Sequence, residues 1–398
     1  MNRFVITGAR VFDGEDLLGV VDVEVAGERI ASVAGRRPEG VELVDGTGAT
    51  LVPGLIDAHT HTDAESLRHA LRFGITTEFD MLSIPERMIP LRRTAAESSD
   101  LADVRSPSIG LTPADGHPHQ LRKGEGDPAW PTATRVEEIP AFVEARIVEG
   151  ADYLKVLVED GHLFGSSLPS LAPELVAATV REGHARGKMV LAHAMTVETA
   201  NQVVDAGVDG LTHLFFDRPH TGELIEKIAA GTFVIPTLTV IASITGAGAG
   251  AELAEDPRVH SKLAPAWLEN LSGAMATSPR ENFDHALEAL AALHRAGVDV
   301  LAGTDAAHLG APGTAHGASL HDELRLLVLA GLTPTEALRA ATSVPARRFG
   351  LDDRGRIKPG LRADLVLIAG DPTTAIGDTL SVQRVWRGGT PAPMPTAI

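Results

Sequence analysis

The stretch Leu51-Val52-Pro53-Gly54-Leu55-Ile56-Asp57-Ala58-His59-Thr60-His61 decides how the rest of the chain is read. It opens on a Pro-Gly turn and runs apolar through Leu55 and Ile56, as a strand buried on both faces does. It ends on His59-x-His61. Alternate residues of a strand point the same way, so both imidazoles can face one point. Two neutral imidazoles converging at a strand end suit a borderline cation such as Zn²⁺. Alone, His-x-His is a weak signal, since two ordinary structural histidines give the same pattern. Its weight comes from further candidate ligands at other strand ends.

Outward from this stretch the pattern is strand followed by helix, repeatedly. Strands are predicted at 73–80, 107–112, 152–158, 189–193, 210–213, 233–238 and 298–305, with helical stretches such as 173–186 and 197–206 between them. With the first strand this makes eight, each followed by a plausible helix. That count and order predict an α/β fold, a (β/α)8 TIM-like barrel whose active site sits at the C-terminal ends of its strands. His59, His61, Lys155, His193, His213 and Asp305 lie at or near those ends. The connection between strands seven and eight holds an insertion at about 240–295. It begins Thr245-Gly246-Ala247-Gly248-Ala249-Gly250 and then reads helical. A hinged lid over the site and a packed helical insertion are both open readings.

The two chain ends read differently. Short β-like runs at 4–6, 20–25 and 30–33 are separated by turn signals, and similar runs recur at 355–360, 363–368 and 381–386. Unpaired edges on two half-sheets would be a liability, and pairing them removes it. The expected organisation is a small β-sandwich domain built from 1–50 and 355–398, around a catalytic barrel at 51–354.

The chain has 398 residues, 44% hydrophobic and 22% charged, in the usual range for a soluble globular protein. A net charge of −18 leaves no basic excess for a phosphate backbone, so no nucleic-acid partner is expected. Cysteine is absent, which rules out disulfides and thiolate ligands and leaves His, Asp, Glu or a modified group for any metal. The N-terminal residues lack a signal-peptide core, and no apolar run has the length of a membrane span. A cytoplasmic protein, with no membrane partner and forming a homo-oligomer, is the expectation.

Taken together, these residues resemble the amidohydrolase superfamily over essentially the whole chain. The resemblance rests on the flanking β halves, the Pro53-Gly54-x-Ile56-Asp57-x-His59-x-His61 opening and the closing Gly303-Thr304-Asp305. The tail at 332–342 and Ile357-Lys358-Pro359-Gly360-x-x-Ala363-Asp364-Leu365-Val366 is similar too. Within the superfamily the chain looks most like imidazolonepropionase-related and Xaa-Pro dipeptidase-like hydrolases. The resemblance implies two divalent metal ions; imidazole and carboxylate donors suit Zn²⁺, and Mn²⁺, Fe²⁺, Co²⁺ or Ni²⁺ would also fit. His59 and His61 would hold the more buried ion together with Asp305, and His193 and His213 the other. Lys155 would carry CO₂ as a carbamate whose oxygens bridge the metals. Physical chemistry favours that role, because an ammonium among cations is repelled whereas a carboxylated lysine is an anion. The implied activity is hydrolysis of an amide C–N bond in a small molecule, such as an N-acyl amino acid or dipeptide. A metal-bridging hydroxide would attack, and Asp305 would shuttle the proton as the catalytic acid–base.

Substrate contacts are expected from loops after the strands. His117 and His119 lie in Asp115-Gly116-His117-Pro118-His119, which resembles the Gly-Gly-His loop of dipeptidase-like relatives except that Asp115 replaces the first glycine. His162 follows the lysine strand, and Arg218 and His220 follow the sixth. Arg218 could pair bidentately with a substrate carboxylate or be a surface arginine. His308 and His316 follow the eighth strand; His184, His260, His285 and His294 read as structural or surface residues. Three rival functions remain. A lactonase or esterase would use the same site. A mononuclear deaminase would place an acid just after the fifth-strand histidine, where this chain has Ala194-Met195-Thr196. A non-catalytic scaffold would usually lack some ligands, and none is missing here.

Overall fold

A computed structural model describes residues 2–35, 37–121 and 130–393 of the chain. Seven short strands come first: β1 (Arg3–Thr7), β2 (Arg10–Phe12), β3 (Leu17–Val20), β4 (Val23–Ala26), β5 (Arg29–Val33), β6 (Glu42–Asp45) and β7 (Ala49–Pro53). An alternating region follows: β8 (Leu55–Thr60), α1 (Ala64–Arg72), β9 (Ile75–Asp80), α2 (Pro85–Glu97), β10 (Asp103–Arg105), α3 (Ile139–Val148), β11 (Leu154–Leu157) and α4 (Pro173–Ala185). It continues with β12 (Val190–His193), α5 (Val197–Asp205), β13 (Gly210–Leu211), α6 (Gly222–Ala229) and β14 (Phe233–Val234). Helices then dominate: α7 (Leu238–Thr245), α8 (Gly250–Glu255), α9 (Pro257–His260), α10 (Pro265–Ser272), α11 (Asn282–Arg295), α12 (Ala318–Leu329), α13 (Pro334–Ala340) and α14 (Ser343–Arg348). The chain closes on β15 (Leu365–Ala369), β16 (Val382–Arg387) and β17 (Thr390–Pro391).

The chain ends meet in one sheet. Its order is β17-β16-β15-β7-β2-β3, and a second sheet has the order β5-β4-β1-β6. Phe4 and Val25 from one sheet share an apolar cluster with Leu51, Leu367 and Trp386 from the other. Within it the rings of Phe4 and Trp386 stack at 5.6 Å. The expected strand at 355–360 is not formed. Gly355 and Gly360 have φ of +80° and +89° and Pro359 has no N–H to give a ladder, so the segment turns instead.

The alternating region builds two parallel sheets, β10-β9-β8 and β11-β12-β13-β14. Its strands are buried along their lengths, as apolar runs in a parallel sheet should be. Hydrogen bonds outside the regular strands join them. Leu111 N–H donates to the Lys155 carbonyl at 2.8 Å, and Leu157 N–H to the Leu111 carbonyl at 2.9 Å. On the other side, the segment 300–306 bridges Val234 to Val300 and Thr60 to Ala306, both parallel. The third expected strand is corrected in position. It pairs with β9 through Asp103–Arg105, four residues before the predicted start, and resumes only at Leu111. Pro107 and the left-handed Ser108, at φ +63°, interrupt the ladder between them.

The insertion is packed where it leaves the sheet. All eight residues of α7 are buried. Ser243 Oγ donates to the Pro312 carbonyl at 2.6 Å, and Asn270 Nδ2 donates to the carbonyls of Ala311 and Thr314 at 2.9 Å each. The insertion thus grips the loop that follows 300–306. Among the described residues no helix is long and apolar enough to cross a membrane.

Candidate functional site

Strand β8 delivers His59 and, one residue beyond its end, His61. The neighbouring segment comes in very close: a Cβ at Gly303 would lie 2.9 Å from the His59 amide nitrogen, so only glycine fits. Two residues later the backbone of Asp305 is left-handed, at φ +57°, a conformation aspartate adopts more readily than most residues other than glycine. Asp305 N–H donates to the His59 carbonyl at 2.8 Å. Asp57 fixes the preceding residue, accepting from Thr304 N–H at 3.1 Å and Thr304 Oγ1 at 2.8 Å.

This brings three expected ligands together. Asp305 Oδ1 lies 3.3 Å from His59 Nε2 and 3.2 Å from His61 Nε2. Two donors bound tetrahedrally to one Zn²⁺ at ordinary bond lengths would stand about 3.3 Å apart. The ring of His213 is 4.7 Å from that of His59 and 4.5 Å from that of His193. Among the described residues, His59, His213 and Asp305 bring ligand atoms within 4.8 Å of one another. The donor set is nitrogen and carboxylate oxygen, the chemistry that suits Zn²⁺ and its first-row neighbours.

Three of the histidines have a partner that decides which nitrogen they offer, whereas the buried Nδ1 of His59 has none. His61 Nδ1 faces the Leu82 carbonyl at 3.4 Å, and His213 Nδ1 faces Thr237 Oγ1 at 2.8 Å, leaving Nε2 free in both. His193 is reversed. Its Nε2 lies 3.2 Å from Glu159 Oε2, so Nδ1 is the atom left for a ligand bond. Burial keeps the innermost rings neutral: it pushes His59 down to about 3 and His213 well below its ordinary value. Burial opposes charge on His61 as well, but its hydrogen bond and attraction to Asp305 carry its pKa above the ordinary value. Burial alone would raise Asp305; its electrostatic interaction with His59 and the hydrogen bonds with His59 and His61 hold it well below the carboxylate range.

Lys155 sits in β11 beside this cluster and is 3% exposed. Its Nζ donates to Thr212 Oγ1, and among the described residues no carboxylate lies within ion-pair distance. Burial pushes it down to about 7, against the attraction of Asp305 and Asp80.

The other expected residues divide. His117 joins the cluster, with its ring stacked on His193 at 5.0 Å and parallel to Phe164 at 6.3 Å. His119 lies one step further out, its ring 5.4 Å from Trp130. His162 is largely in solvent facing Asp160 at 3.2 Å, and exposed Arg218 is 3.7 Å from Asp217. His220 is half-buried and its Nδ1 has no partner. Among the described residues, no hydrogen bond, ion pair or ring contact joins these last three to the cluster. His308 is exposed, whereas His316 is fully buried against Glu78 at 3.1 Å. Glu159, Thr212, Thr237 and Asp57 escaped the sequence reading. Only Asp57 had a signal there, being two residues before His59.

A model of the amidohydrolase family matches residues 50–392. The chain is 25% identical over 395 residues to an adenine deaminase of Gluconobacter oxydans, covering 96% of this chain and 58% of that one, so it spans little more than half of that relative's length. It is 28% identical over 353 residues to an uncharacterized protein of Mycobacterium tuberculosis, covering 83% and 82%. A Xaa-Pro dipeptidase crystallised with bound methionine in its active site superimposes with a TM-score of 0.78 at 20% identity, over 98% of this chain and 99% of the other. With its fold shared across whole chains and its sequence matched from residue 50 to residue 392, this chain belongs to the amidohydrolase family.

Proposed function

We propose that the chain is a metal-dependent hydrolase that cleaves the C–N bond of a small amide, such as an N-acyl amino acid or a dipeptide. The observation that carries this reading is Asp305 Oδ1 within 3.3 Å of the Nε2 atoms of both His59 and His61. In this reading the bridged parallel strands form a closed (β/α)8 barrel, the chain ends form a β-sandwich, and the ligands project from the barrel's C-terminal rim.

His59, His61 and Asp305 would hold one divalent ion, and His193 through Nδ1 and His213 through Nε2 a second. Bound there, such ions supply Lewis acidity and bring the pKa of a water toward neutrality. The neutral Nζ of Lys155 would add to CO₂ with loss of one proton, turning a buried base into an anion with two ligand oxygens. Asp305 Oδ1 faces the same point as the two Nε2 atoms and would be the ligand oxygen, so Oδ2 is the oxygen left to accept a proton from water and return it to the departing nitrogen. His117, half-buried and stacked on His193, would meet the substrate at the entrance.

A second reading, hydrolytic deamination of a heterocycle, is favoured by the adenine deaminase among the relatives. In that reading one ion is held by the same histidines and Asp305, Lys155 has no role, and ammonia is the leaving group. The test is a metal assay joined to a substrate screen over N-acyl amino acids, Xaa-Pro dipeptides, aryl amides, adenine and lactones. Two ions per chain and loss of turnover on chelation are expected. Full turnover by rigorously metal-free protein would end the proposal.

A further inference from the structure

Three helices of this protein begin with a threonine that caps them in the usual way. The side chains of Thr196, Thr221 and Thr333 accept from the backbone N–H groups of Thr199, Leu224 and Glu336, in the first turns of α5, α6 and α13. Thr237 occupies the same position before α7 and makes no such bond. Its backbone is left-handed, at φ +51°, an unfavourable place for a β-branched residue. Its hydroxyl lies instead 2.8 Å from His213 Nδ1.

The free amides of α7 are satisfied from elsewhere. Glu323, on α12 and fully buried, accepts from Leu238 N–H at 3.0 Å, Thr239 N–H at 2.8 Å and Thr239 Oγ1 at 3.1 Å. No cation lies within ion-pair distance of it among the described residues. The first turn of a helix leaves amides that need acceptors, and the distant Glu323 carboxyl supplies two of them; burial pushes its pKa up to about 8, so it does this as a largely neutral group near pH 7.

We propose that Glu323 is a positioning residue of the site. By capping α7 in place of Thr237, it frees the Thr237 hydroxyl to accept from His213 Nδ1–H and so presents Nε2 as the ligand atom. Without Glu323 the unsatisfied amides of α7 compete for that hydroxyl, and the nearest rearrangement returns Thr237 to ordinary capping. The same carboxyl group reaches the opposite side of the site through Thr239 Oγ1, which lies 3.1 Å from both Glu323 Oε2 and the carbonyl of Thr304, the residue before Asp305.

The inference rests on His213 being a metal ligand, but its first readout needs no metal. In chelator-treated protein with ¹⁵N-labelled histidine, the His213 ring should carry its proton on Nδ1. Glu323→Gln and Thr237→Val should move that proton to Nε2 or leave a mixture, and Thr237→Ser should keep it on Nδ1. The second readout is Zn²⁺ titration of the metal-free protein against a chromophoric chelator. Each of the first two variants should weaken one of the two sites by about 10- to 100-fold, the usual scale for a lost outer partner, and leave the other unchanged. The double variant should lose no more than either single one, because both act through one hydroxyl. If Glu323→Gln fails to fold, Glu323→Asp keeps the carboxyl group but withdraws it from the amides and is read in the same way. An unchanged tautomer in these Glu323 and Thr237 variants, or fully additive losses in the double variant, would overturn the proposal. Wild-type protein that takes up no Zn²⁺ would instead sink the hydrolase reading, while the tautomer would still decide the role of Glu323.

Discussion

Lys155→Met should make the metal-free protein more stable. Lys155 is buried to 3% exposure, and its Nζ donates only to a threonine hydroxyl. Burial lowers its pKa from 10.5 to about 7. The unfolded chain therefore keeps this proton up to about pH 10.5, whereas the folded chain releases it near 7. Between those values the unfolded state binds more protons, so stability rises with pH there. Below pH 7 the whole penalty applies, about 5 kcal/mol at roughly 1.4 kcal/mol per pH unit, and at pH 9 about 2 kcal/mol of it remains. Methionine fills nearly the same volume with no charge to bury, at a packing cost of about 1 kcal/mol. Thr212 is not orphaned by the change, since its hydroxyl also donates to the Ala192 carbonyl at 3.1 Å. The net gain should be about 3 kcal/mol at pH 7, where half of the folded chains have already released the proton and about 4 kcal/mol of the penalty remains, shrinking to about 1 kcal/mol at pH 9. Urea unfolding of chelator-treated wild type and variant at the two pH values measures it. A variant less stable than wild type at pH 7, or a gap that does not narrow toward pH 9, refutes the reasoning. With Zn²⁺ and bicarbonate the order should reverse, because only the wild type can gain binding energy at that position.

Asp305→Asn should retain part of the metal content and lose about 10²-fold or more in turnover, since the amide cannot take up the proton; metal analysis and steady-state rates on the same sample decide it. Arg354→Ala should cost about 3 kcal/mol in urea unfolding, the lower end for breaking a buried pair. Arg354 is 2.6 Å from Asp103, which would keep only its 3.2 Å contact with Arg105 and a distant Arg387.

The ligands were legible in the sequence because the strands that carry them are apolar runs ending on a histidine or aspartate. The residues that position those ligands were not, because the contacts that hold them cross long stretches of chain. Glu323 meets Thr239 across 84 positions, and Thr304 meets Asp57 across 247. Nothing in the local pattern around Thr237 separates it from the three threonines that cap their own helices. The third strand was misplaced for a related reason: apolar content at 107–112 suggested one continuous run, but Ser108 is turned into the left-handed region, with its hydroxyl on Glu149 at 2.5 Å. The outer loops were the least readable. Histidines and an arginine after strands look alike in sequence, and only burial and contact separated His117 from His162 and Arg218.

The junction at Gly54 sets an order of events at the ribosome. Strand β7 lies between β2 and β15, and Gly54 N–H donates to the Asp364 carbonyl at 2.7 Å. The next residue begins β8, the strand that leads into His59 and His61. The strand that flanks β7 on one side is therefore made roughly 300 residues after the histidines, a wait of about 15–60 s at ordinary translation speed. Until then β7 has an open edge, and the segment feeding β8 lacks half of its anchorage. A nascent chain can thus expose His59 and His61 to passing cations long before Asp305 and β15 exist to hold them in register. A truncation just before residue 364 should behave like that intermediate, keeping every proposed ligand yet leaving the β7 edge open to pairing with other chains.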